Sequence, residues 1–439
     1  MPDPTSTSSL PTQGRSADEV RALLDAATAQ DHRPLEGRMF SLVFHAGDDV
    51  DAIAQAGHDA LLWHNGLNPG PFPSLRAMTD DVVNWSTWLL SGGAVDAGDA
   101  VRDGLTGFLT SGGTESLVLA VLTAKLQGQE RGVERGNVVL PTSAHAAFTK
   151  ACHYFDLEER RVEVGADFKA DPDAMANAGD DDTVLLVASA PQYPQGVIDP
   201  VADIAAIAAD HGVNCHVDAC MGGFTLPFME RAGLLGASPP AWDFRVPGVT
   251  TISADVHKYG YVPKGISVLA HRDRASRDRQ VFITDGWLGG LYASSGILGT
   301  KPGGPVGAGW AVMQYLGVEG FTEKVRLAVA ARERLAAGID AIECLRVVGS
   351  PETTLVAFGC DAGSPTPLDP FAVELALRDR HWHLDRQGPP DSLHATCTPI
   401  QGMDDCRIIE ELLADLREVA TEVAGRIEAD RTANYATTE

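Results

Sequence analysis

Short apolar runs alternate with longer helical patterns between about residues 105 and 275. The runs rich in β-branched residues are NVVLP (137–141), TVLLVAS (183–189), VNCHVDA (213–219), VTTIS (249–253) and GISVLAH (265–271). Between them, ESLVLAVLTAKLQ (115–127) and VADIAAIAADHG (201–212) repeat apolar residues at the spacing of an amphipathic helix. This alternation predicts an α/β fold with a mainly parallel sheet covered by helices on both faces.

The segments on either side of this region predict the domain organisation. Residues 1–15 are rich in Ser, Thr, Pro and Gly and are expected to be disordered. Order is expected from Ser16, because Glu19 follows it by three residues and completes a capping box. The predicted limits are an N-terminal helical segment over 16–60, a large domain over 61–305 and a smaller C-terminal α/β domain over 306–439.

The C-terminal part carries three further patterns. Residues 286–310 are dense in glycine and are expected to form neither helix nor strand. The run LRVVGSPETTLVAFG (345–359) indicates a hairpin, and residues 404–430 have the pattern of a terminal helix.

Polar residues follow several of the predicted strands, where ligands bind in sheets of this kind. Four stretches have this position: TSGGTES (110–116), SAHAAF (143–148), HVDAC (216–220) and SADVHKYG (253–260). In the first, Gly112, Gly113 and Thr114 precede a helix, so their backbone N–H groups suit a phosphate. The alternative is a simple turn. The stretch has neither the nucleotide P-loop pattern nor the dinucleotide fingerprint.

Two of the other stretches offer a carboxylate and two histidines. Asp218 could hold a heterocyclic nitrogen protonated, or could merely cap the next turn. His145 could stack on an aromatic cofactor, or could be a capping or core histidine. His216 lies on the same strand face as Asp218, which permits a metal site, but no third ligand has a suggestive spacing, and no metal is predicted.

Lys258 decides between these alternatives. A lysine desolvated at a strand end loses stability in its charged form, so its amine becomes available for a Schiff base with a carbonyl. Pyridoxal 5′-phosphate needs an amine for its aldehyde, an anion site for its phosphate and an acid for its pyridine nitrogen. Lys258, the glycine loop and Asp218 supply all three, so this cofactor is predicted.

Composition narrows the class of protein. The net charge is −26 and no basic cluster is present, which argues against a nucleic-acid partner. Seven scattered cysteines without a CxxC pair favour free thiols in a reducing compartment, so a cytoplasmic protein is expected. No signal-peptide pattern and no apolar run of about 20 residues is found, so no membrane insertion is expected.

These motifs resemble those of the fold-type I pyridoxal-phosphate enzymes, with an aspartate aminotransferase-like fold. Within them the chain resembles the group II decarboxylase branch and, most closely, the sphingosine-1-phosphate lyases. The matching stretches span about residues 37 to 310: TSGGTES, SAHAAF, QYPQGVIDP, HVDACMGGF, DFRVPGVTTISADVHKYGYVPKG, GGLYAS and KPGG. The eukaryotic lyases carry a membrane-anchoring N-terminal helix, which this sequence is expected to lack.

The resemblance implies roles for individual residues. Lys258 would carry the Schiff base, Asp218 would pair with the pyridine nitrogen and His145 would stack on the ring. Gly113, Thr114 and His257 would lie near the cofactor phosphate. The resemblance also implies a homodimer with active sites at the subunit interface, where the glycine-rich 289–304 loop reaches the partner's cofactor.

Departures from the family occur on the substrate side. Phe44 stands where the lyases have a Tyr, and Asn68 where they have a His, both associated with the substrate phosphate. Losing such charge-assisted contacts typically costs about 1.5–3 kcal/mol each. Asn65, Lys264 and Tyr193 are expected to face the substrate.

Three functions follow from these residues. The first is a lyase that splits the Cα–Cβ bond of a β-hydroxy amine by retro-aldol cleavage and releases an aldehyde. The second is an amino-acid α-decarboxylase, which the branch and the altered phosphate contacts favour. The third is a cofactor-binding protein without catalysis, against which the complete cofactor set argues.

Overall fold

The computed structural model describes residues 10–68, 70–96, 104–361, 363–364, 368–433 and 435. Residues 1–9 of the segment predicted to be disordered lie outside them. The described part of the chain contains these helices: α1 (Ala17–Ala27), α2 (Asp48–Ala60), α3 (Pro73–Leu89), α4 (Gly113–Glu130), α5 (Ala147–Phe155), α6 (Pro172–Ala178), α7 (Val201–Asp210), α8 (Leu226–Arg231), α9 (Arg274–Arg279), α10 (Gly304–Asp340), α11 (Pro370–Arg378) and α12 (Pro399–Glu422).

The strands belong to three sheets. They are β1 (Thr106–Thr110), β2 (Asn137–Pro141), β3 (Glu158–Val162), β4 (Thr183–Ser189), β5 (Asn214–Asp218), β6 (Thr251–Ala254), β7 (Ser267–His271), β8 (Phe282–Thr284), β9 (Tyr292–Ser294), β10 (Leu345–Val348), β11 (Leu355–Cys360), β12 (Asp385–Gln387) and β13 (Ser392–Thr396).

The large sheet has seven strands in the order β1-β7-β6-β5-β4-β2-β3. Strands β2 to β6 pair in parallel, and only β7 runs antiparallel to its neighbours β1 and β6. A second, antiparallel sheet, β10-β11-β13-β12, forms the smaller C-terminal part. The predicted α/β architecture with a mainly parallel sheet is confirmed. The capping box at Ser16 and the 345–359 hairpin also form as predicted.

Two strands of the large sheet carry no clear signal in the sequence. Strand β1 is only five residues long and lies on one edge of the sheet. Strand β3, on the other edge, has the polar sequence EERRV, and only Val162 is buried. An edge strand covered on one side needs little apolar surface, so neither the β-branched content nor the alternation is strong.

The expectation that residues 286–310 form neither helix nor strand is wrong at two places. Strand β9 forms within the segment, and α10 begins at Gly304. A Cβ at Gly307 would lie 2.2 Å from the carbonyl oxygen of Gly57 in α2, and one at Gly57 would lie 2.4 Å from the carbonyl oxygen of Gly307. These glycines therefore allow two helices to pack closely and do not break a helix.

The terminal helix also differs from its predicted range of 404–430. A short helical turn precedes it from Pro399, where Thr398 and Gln401 form a capping box, and the non-helical backbone of residues 403–406 separates this turn from the main helix. The main helix ends at Glu422, and Gly425 has a left-handed backbone (φ 73°) that turns the chain away from the helix axis. Residues 423–430 therefore leave the helix axis, and residues 428 and 430 form hydrogen bonds with the small domain.

Among the described residues, two large hydrophobic cores form, one around each of the larger sheets, and two smaller clusters pack against the large sheet as well. Helix α10 contributes Val325 and Val329 to the first core and Ala331 and Leu335 to the second. The predicted domain limits at 60/61 and 305/306 stay predictions. No described helix has both the length and the apolar content needed to cross a bilayer.

Candidate active site

Lys258 follows the carboxyl end of β6 and forms a close ion pair with Asp255. Its Nζ lies 3.1 Å from Asp255 Oδ2, and the Asp255 side chain is 2% exposed. Burial alone would lower the pKa of Lys258, but the charge of Asp255, with smaller effects from Cys220, Tyr435 and Asp218, raises it above its ordinary value. The expectation that desolvation leaves this amine uncharged is therefore wrong, because the buried carboxylate stabilises the ammonium form.

Asp255 is the main residue that sequence reasoning missed. Burial would raise its pKa, but the charges of Lys258 and His257 hold it below its usual range. Its Oδ2 lies 3.7 Å from His257 Nε2, and its Oδ1 is buried without a hydrogen-bond partner. An acidic residue directly after a buried strand was the available signal, since the same position singled out Asp218.

The loop before α4 leaves room for an anion beside His257. The helix begins at Gly113 without a side-chain cap, so its first N–H groups are available. A Cβ at Gly112 would lie 3.2 Å from His257 Cε1, and a Cβ at Gly113 would lie 2.8 Å from Asp255 Oδ2. Thr114 is exposed in the first turn of α4. The predicted phosphate loop thus adjoins the Lys258 and Asp255 pair.

The Glu115 side chain holds this loop in place through hydrogen bonds. Its buried carboxylate accepts hydrogen bonds from the Ser111 N–H and hydroxyl at 2.7 and 2.6 Å through Oε2, and from the Ile297 N–H at 2.7 Å through Oε1. Sequence reasoning also missed this role. Glu115 ties the anion loop to the glycine-rich 289–304 segment, so the two must keep their relative positions.

Asp218 and His145 lie near the same site although their strands, β5 and β2, are separated by β4 in the sheet. Asp218 ends β5, and its Oδ1 accepts a hydrogen bond from the Cys220 N–H at 3.0 Å. His145 precedes α5, and its Nδ1 accepts from the Ala147 N–H at 3.0 Å. Burial and the charge of Lys258 lower the pKa of His145, although Asp218 opposes the shift. His145 is therefore neutral near pH 7, with its proton on Nε2.

His216 belongs to the core. Its Nδ1 lies 2.8 Å from the Thr251 hydroxyl and its Nε2 lies 3.2 Å from the Ser253 hydroxyl. Complete burial lowers its pKa to about 4. Both ring nitrogens are thus engaged with the neighbouring strand, which favours a structural role over metal binding.

Phe44 and Lys264, both predicted to face the substrate, are in contact with each other. Lys264 Nζ lies 4.7 Å from the centre of the Phe44 ring and donates a hydrogen bond to the His257 carbonyl at 3.0 Å. Phe44 also packs edge-on against Tyr259 at 5.1 Å between ring centres. Desolvation and the charge of Lys258 lower the pKa of Lys264 to about 8. Lys264 can therefore gain or lose a proton near physiological pH.

Asn65 and Asn68 make only local hydrogen bonds. Asn65 Oδ1 accepts from the Leu67 N–H at 2.9 Å, and Asn68 Oδ1 accepts from the Gly70 N–H at 3.0 Å. Within the described residues, no hydrogen bond joins either amide to Lys258 or Lys264. Their segment instead pairs with the glycine-rich 289–304 loop, where the Gly66 N–H donates to the Lys301 carbonyl at 2.8 Å.

Tyr193 connects the site to the small sheet. Its hydroxyl donates a 2.7 Å hydrogen bond to Asp385 Oδ2 on β12, and its ring stacks on His394 of β13 at 4.0 Å between centres. The pKa of Tyr193 lies well above its ordinary value because the group is buried next to Asp385. The phenol therefore stays protonated and is already used as a donor.

Comparison with known proteins identifies the family. The model of the pyridoxal-dependent decarboxylase conserved domain matches residues 61–361. The chain is 34% identical over 414 residues to sphingosine-1-phosphate lyase 1 of Rattus norvegicus, covering 94% of this chain and 70% of that protein. It is 38% identical over 360 residues to sphingosine-1-phosphate lyase of Arabidopsis thaliana, covering 82% and 63%. The chain belongs to the pyridoxal-dependent decarboxylase family.

Solved structures agree with this family assignment. A sphingosine-1-phosphate lyase of Burkholderia pseudomallei aligns with a TM-score of 0.87 and 36% identity, over 95% of this chain and 93% of that one. Glutamate decarboxylase of Lactobacillus brevis aligns with a TM-score of 0.81 at 19% identity, over 97% and 96%, which shows the fold alone. The chain is thus a pyridoxal-phosphate-dependent lyase, and both the predicted cofactor and the predicted enzyme class are confirmed.

The residues present fit the cofactor of this decarboxylase family. The space at Gly112 and Gly113 would be filled by any side chain, and Asp255 Oδ1 and Ser143 Oγ are buried without partners. One amine, two carboxylates and an uncapped helix start converge there. This donor set matches the aldehyde, the pyridine nitrogen and the phosphate of pyridoxal phosphate.

Proposed function

We propose that this enzyme cleaves the Cα–Cβ bond of a β-hydroxy amine in a retro-aldol reaction and releases an aldehyde. The observation that carries the proposal is its likeness to sphingosine-1-phosphate lyases along 94% of the chain. The buried lysine and carboxylate pair after β6 supports it, since this chemistry needs an amine held in one position.

We assign the cofactor-binding roles as follows. Lys258 is the covalent anchor, Asp218 pairs with the pyridine nitrogen and His145 lies against the ring. Gly112, Gly113, Thr114 and His257 surround the phosphate. The support is spatial: these residues lie at the ends of β5 and β6 and at the starts of α4 and α5.

The bound cofactor supplies a ring that draws electrons from the bond being broken at Cα. Asp218 would keep the ring nitrogen of the bound cofactor protonated. Once the substrate amine has displaced Lys258, the released amine would be stabilised as an ammonium by Asp255 and could return a proton at Cα. Lys264 has two proposed uses. As an ammonium it binds the anionic end of the substrate, and as a free amine it takes the proton of the β-hydroxyl group. Its pKa of about 8 permits either state.

A homodimer with shared active sites is part of the proposal. A groove of about 920 Å³ runs beside the anion loop and is lined by Ser111, Glu115 and Lys301 among others. The nearby loop exposes Trp287, Leu288 and Leu291, and Trp63 is exposed as well. Such an apolar surface is typical of a protein interface. We propose that a second copy covers it and that the 289–304 loop reaches the partner's cofactor.

A charge placed in this surface tests the dimer. Leu288→Glu is expected to shift the mass in solution from two chains to one, because a carboxylate would be buried in an apolar interface. Ile427→Glu introduces the same charge at another exposed apolar position and should leave the mass unchanged. A monomeric wild-type protein in light scattering would refute the interface.

The proposed cytoplasmic location rests on seven free cysteines.

Product analysis tests the reaction. The purified holoenzyme is incubated with phosphorylated and free 2-amino-1,3-diols and with a panel of amino acids, and both aldehyde and carbon dioxide are measured. Aldehyde release that depends on Lys258 supports the lyase. Carbon dioxide without aldehyde would replace it with the second candidate.

That second candidate is an amino-acid α-decarboxylase. The specific observation in its favour is the altered phosphate contact: Phe44 presents only a ring to Lys264, and Asn68 uses its oxygen within its own turn. A substrate without a phosphate would lose nothing from either change. The same assay distinguishes the two, because the products differ.

A further inference from the structure

Residues 428–432, which follow α12, run along the small domain and are fixed there by polar contacts. The Glu428 N–H donates to Asp369 Oδ2 at 2.8 Å, and Arg386 Nη1 donates to the Asp430 carbonyl at 3.1 Å. The Thr432 N–H donates to Asp430 Oδ1 at 2.9 Å and closes a turn. Residues 428–432 therefore follow a defined path.

Arg431 is the strongest anchor of this segment. Its guanidinium forms ion pairs with Asp369 and Asp391, and it lies over the Phe371 ring at 4.5 Å. Asp369 is buried and also caps α11, accepting from the Phe371 N–H at 3.0 Å. The anchor is thus built on a carboxylate that the small domain already holds in place.

Four residues later, Tyr435 contacts the candidate active site. Its ring centre lies 5.1 Å from that of His145 and 5.1 Å from that of Tyr193, edge-on to both. The nearby charges of Lys258, Asp255 and Asp218 all act on its phenol. Its side chain is 49% exposed, so one side faces the site and the other faces solvent.

We propose that Tyr435 is a further active-site residue, whose ring covers one side of the cofactor site and is kept near it by the anchor at Arg431. The proposal rests on the proposed positions of His145 and Lys258 in that site. The cover must move aside for a cofactor or substrate to enter. Four residues reach at most about 14 Å, so the ring stays close to the site even when it is displaced.

A cover of this kind slows entry without changing the chemistry. If the closed position is occupied about nine-tenths of the time, association with the site is slowed about tenfold. Removing the ring should therefore raise the rate of entry, while a change that keeps the ring should have little effect. Loosening the anchor should act in the same direction as removing the ring.

Cofactor uptake by the apoprotein tests the cover. Pyridoxal phosphate is mixed with apoprotein, and the absorbance of the lysine-linked cofactor gives the association rate. Tyr435→Ala is expected to raise this rate by about three- to tenfold, Arg431→Ala to raise it less, and Tyr435→Phe to leave it near the wild-type value. Lys258→Ala should give no such absorbance, which ties the signal to this site.

Two controls match these variants. Tyr154→Ala removes an exposed tyrosine of α5, and Arg426→Ala removes an exposed arginine that pairs with Glu422. Both should keep the wild-type uptake rate. An unchanged or slower uptake in Tyr435→Ala, with an unchanged melting temperature, overturns the cover. Uptake needs no turnover, so a failure of the proposed lyase activity would leave this result interpretable.

Discussion

The residues proposed to bind the cofactor and those proposed to bind the substrate are held in different ways. Asp218 and Asp255 follow buried strands, and Gly113 begins a helix, so secondary structure fixes these positions. Phe44 and Asn68 instead lie in irregular segments before α2 and α3. A covalently held cofactor requires fixed geometry, whereas segments without regular structure can change residues at little structural cost. The departures that the sequence resemblance indicates, Phe44 and Asn68, both belong to the second group.

Removing the lysine that is proposed to anchor the cofactor should have the largest effect. Lys258→Ala is expected to abolish the absorbance of the lysine-linked cofactor and to lower kcat by about 10⁴-fold, because both the covalent bond and a proton carrier are lost. Lys150→Ala removes an exposed lysine of α5 and should behave as wild type. Unchanged absorbance in Lys258→Ala would remove Lys258 from the site.

The buried partner of that lysine gives the next largest effect. Asp255→Asn is expected to destabilise the apoprotein by about 3–5 kcal/mol at pH 7 in urea denaturation, because it leaves a buried ammonium unpaired. The pKa of Lys258 is raised in the folded state, so the pair stabilises the protein below the ordinary lysine pKa and loses this effect as pH rises through the raised value.

A double variant separates the pair from other effects of the same change. In Asp255→Asn with Lys258→Ala no ammonium remains to be left unpaired, so the double variant should lose less stability than the sum of the two single changes. Additive losses would mean that Asp255 stabilises the fold through other contacts.

The sequence predicted the strands near the proposed cofactor residues well, because the signals for a strand are local. The strands NVVLP and TVLLVAS form at the predicted residues. The sign of the Lys258 shift was not predictable in the same way. It depends on Asp255 Oδ2 lying 3.1 Å from the amine, a distance that only the folded backbone sets.

Other features depend on contacts between distant segments. The helical start of α10 rests on Gly57 and Gly307, which are 250 positions apart. Tyr435 meets His145 across most of the chain, and Glu115 holds residue 297. Glycine patterns or single tyrosines in a sequence carry no information on such pairs, which explains why these features were mispredicted or missed.

Among the residues proposed to bind the substrate, restoring the residues typical of the lyase family should have a moderate effect. Phe44→Tyr and Asn68→His are each expected to improve kcat/KM for a phosphorylated amino alcohol by about tenfold relative to its free counterpart, since each adds a polar contact for the phosphate. Asn177→His adds a histidine at an exposed position of α6 and should leave the ratio unchanged. A double variant with the wild-type ratio would place both residues away from the substrate's anionic end.

The smallest expected effect is a pH dependence of KM that arises from Lys264, the cation among the residues proposed to bind the substrate. Its pKa of about 8 lies below that of a free lysine, so the ammonium that can bind an anion is present below pH 8 and is lost as the pH rises through that value. The KM for a phosphorylated substrate should therefore rise several-fold between about pH 7 and 9, while the KM for the free amino alcohol changes less. The substrate phosphate, with a second pKa near 6, is fully ionised throughout this range and adds no titration of its own. Lys264→Arg keeps a charge at every pH and should flatten the profile. If the two substrates show the same pH dependence, Lys264 does not bind the anionic end, and its use as the base for the β-hydroxyl proton becomes the remaining assignment.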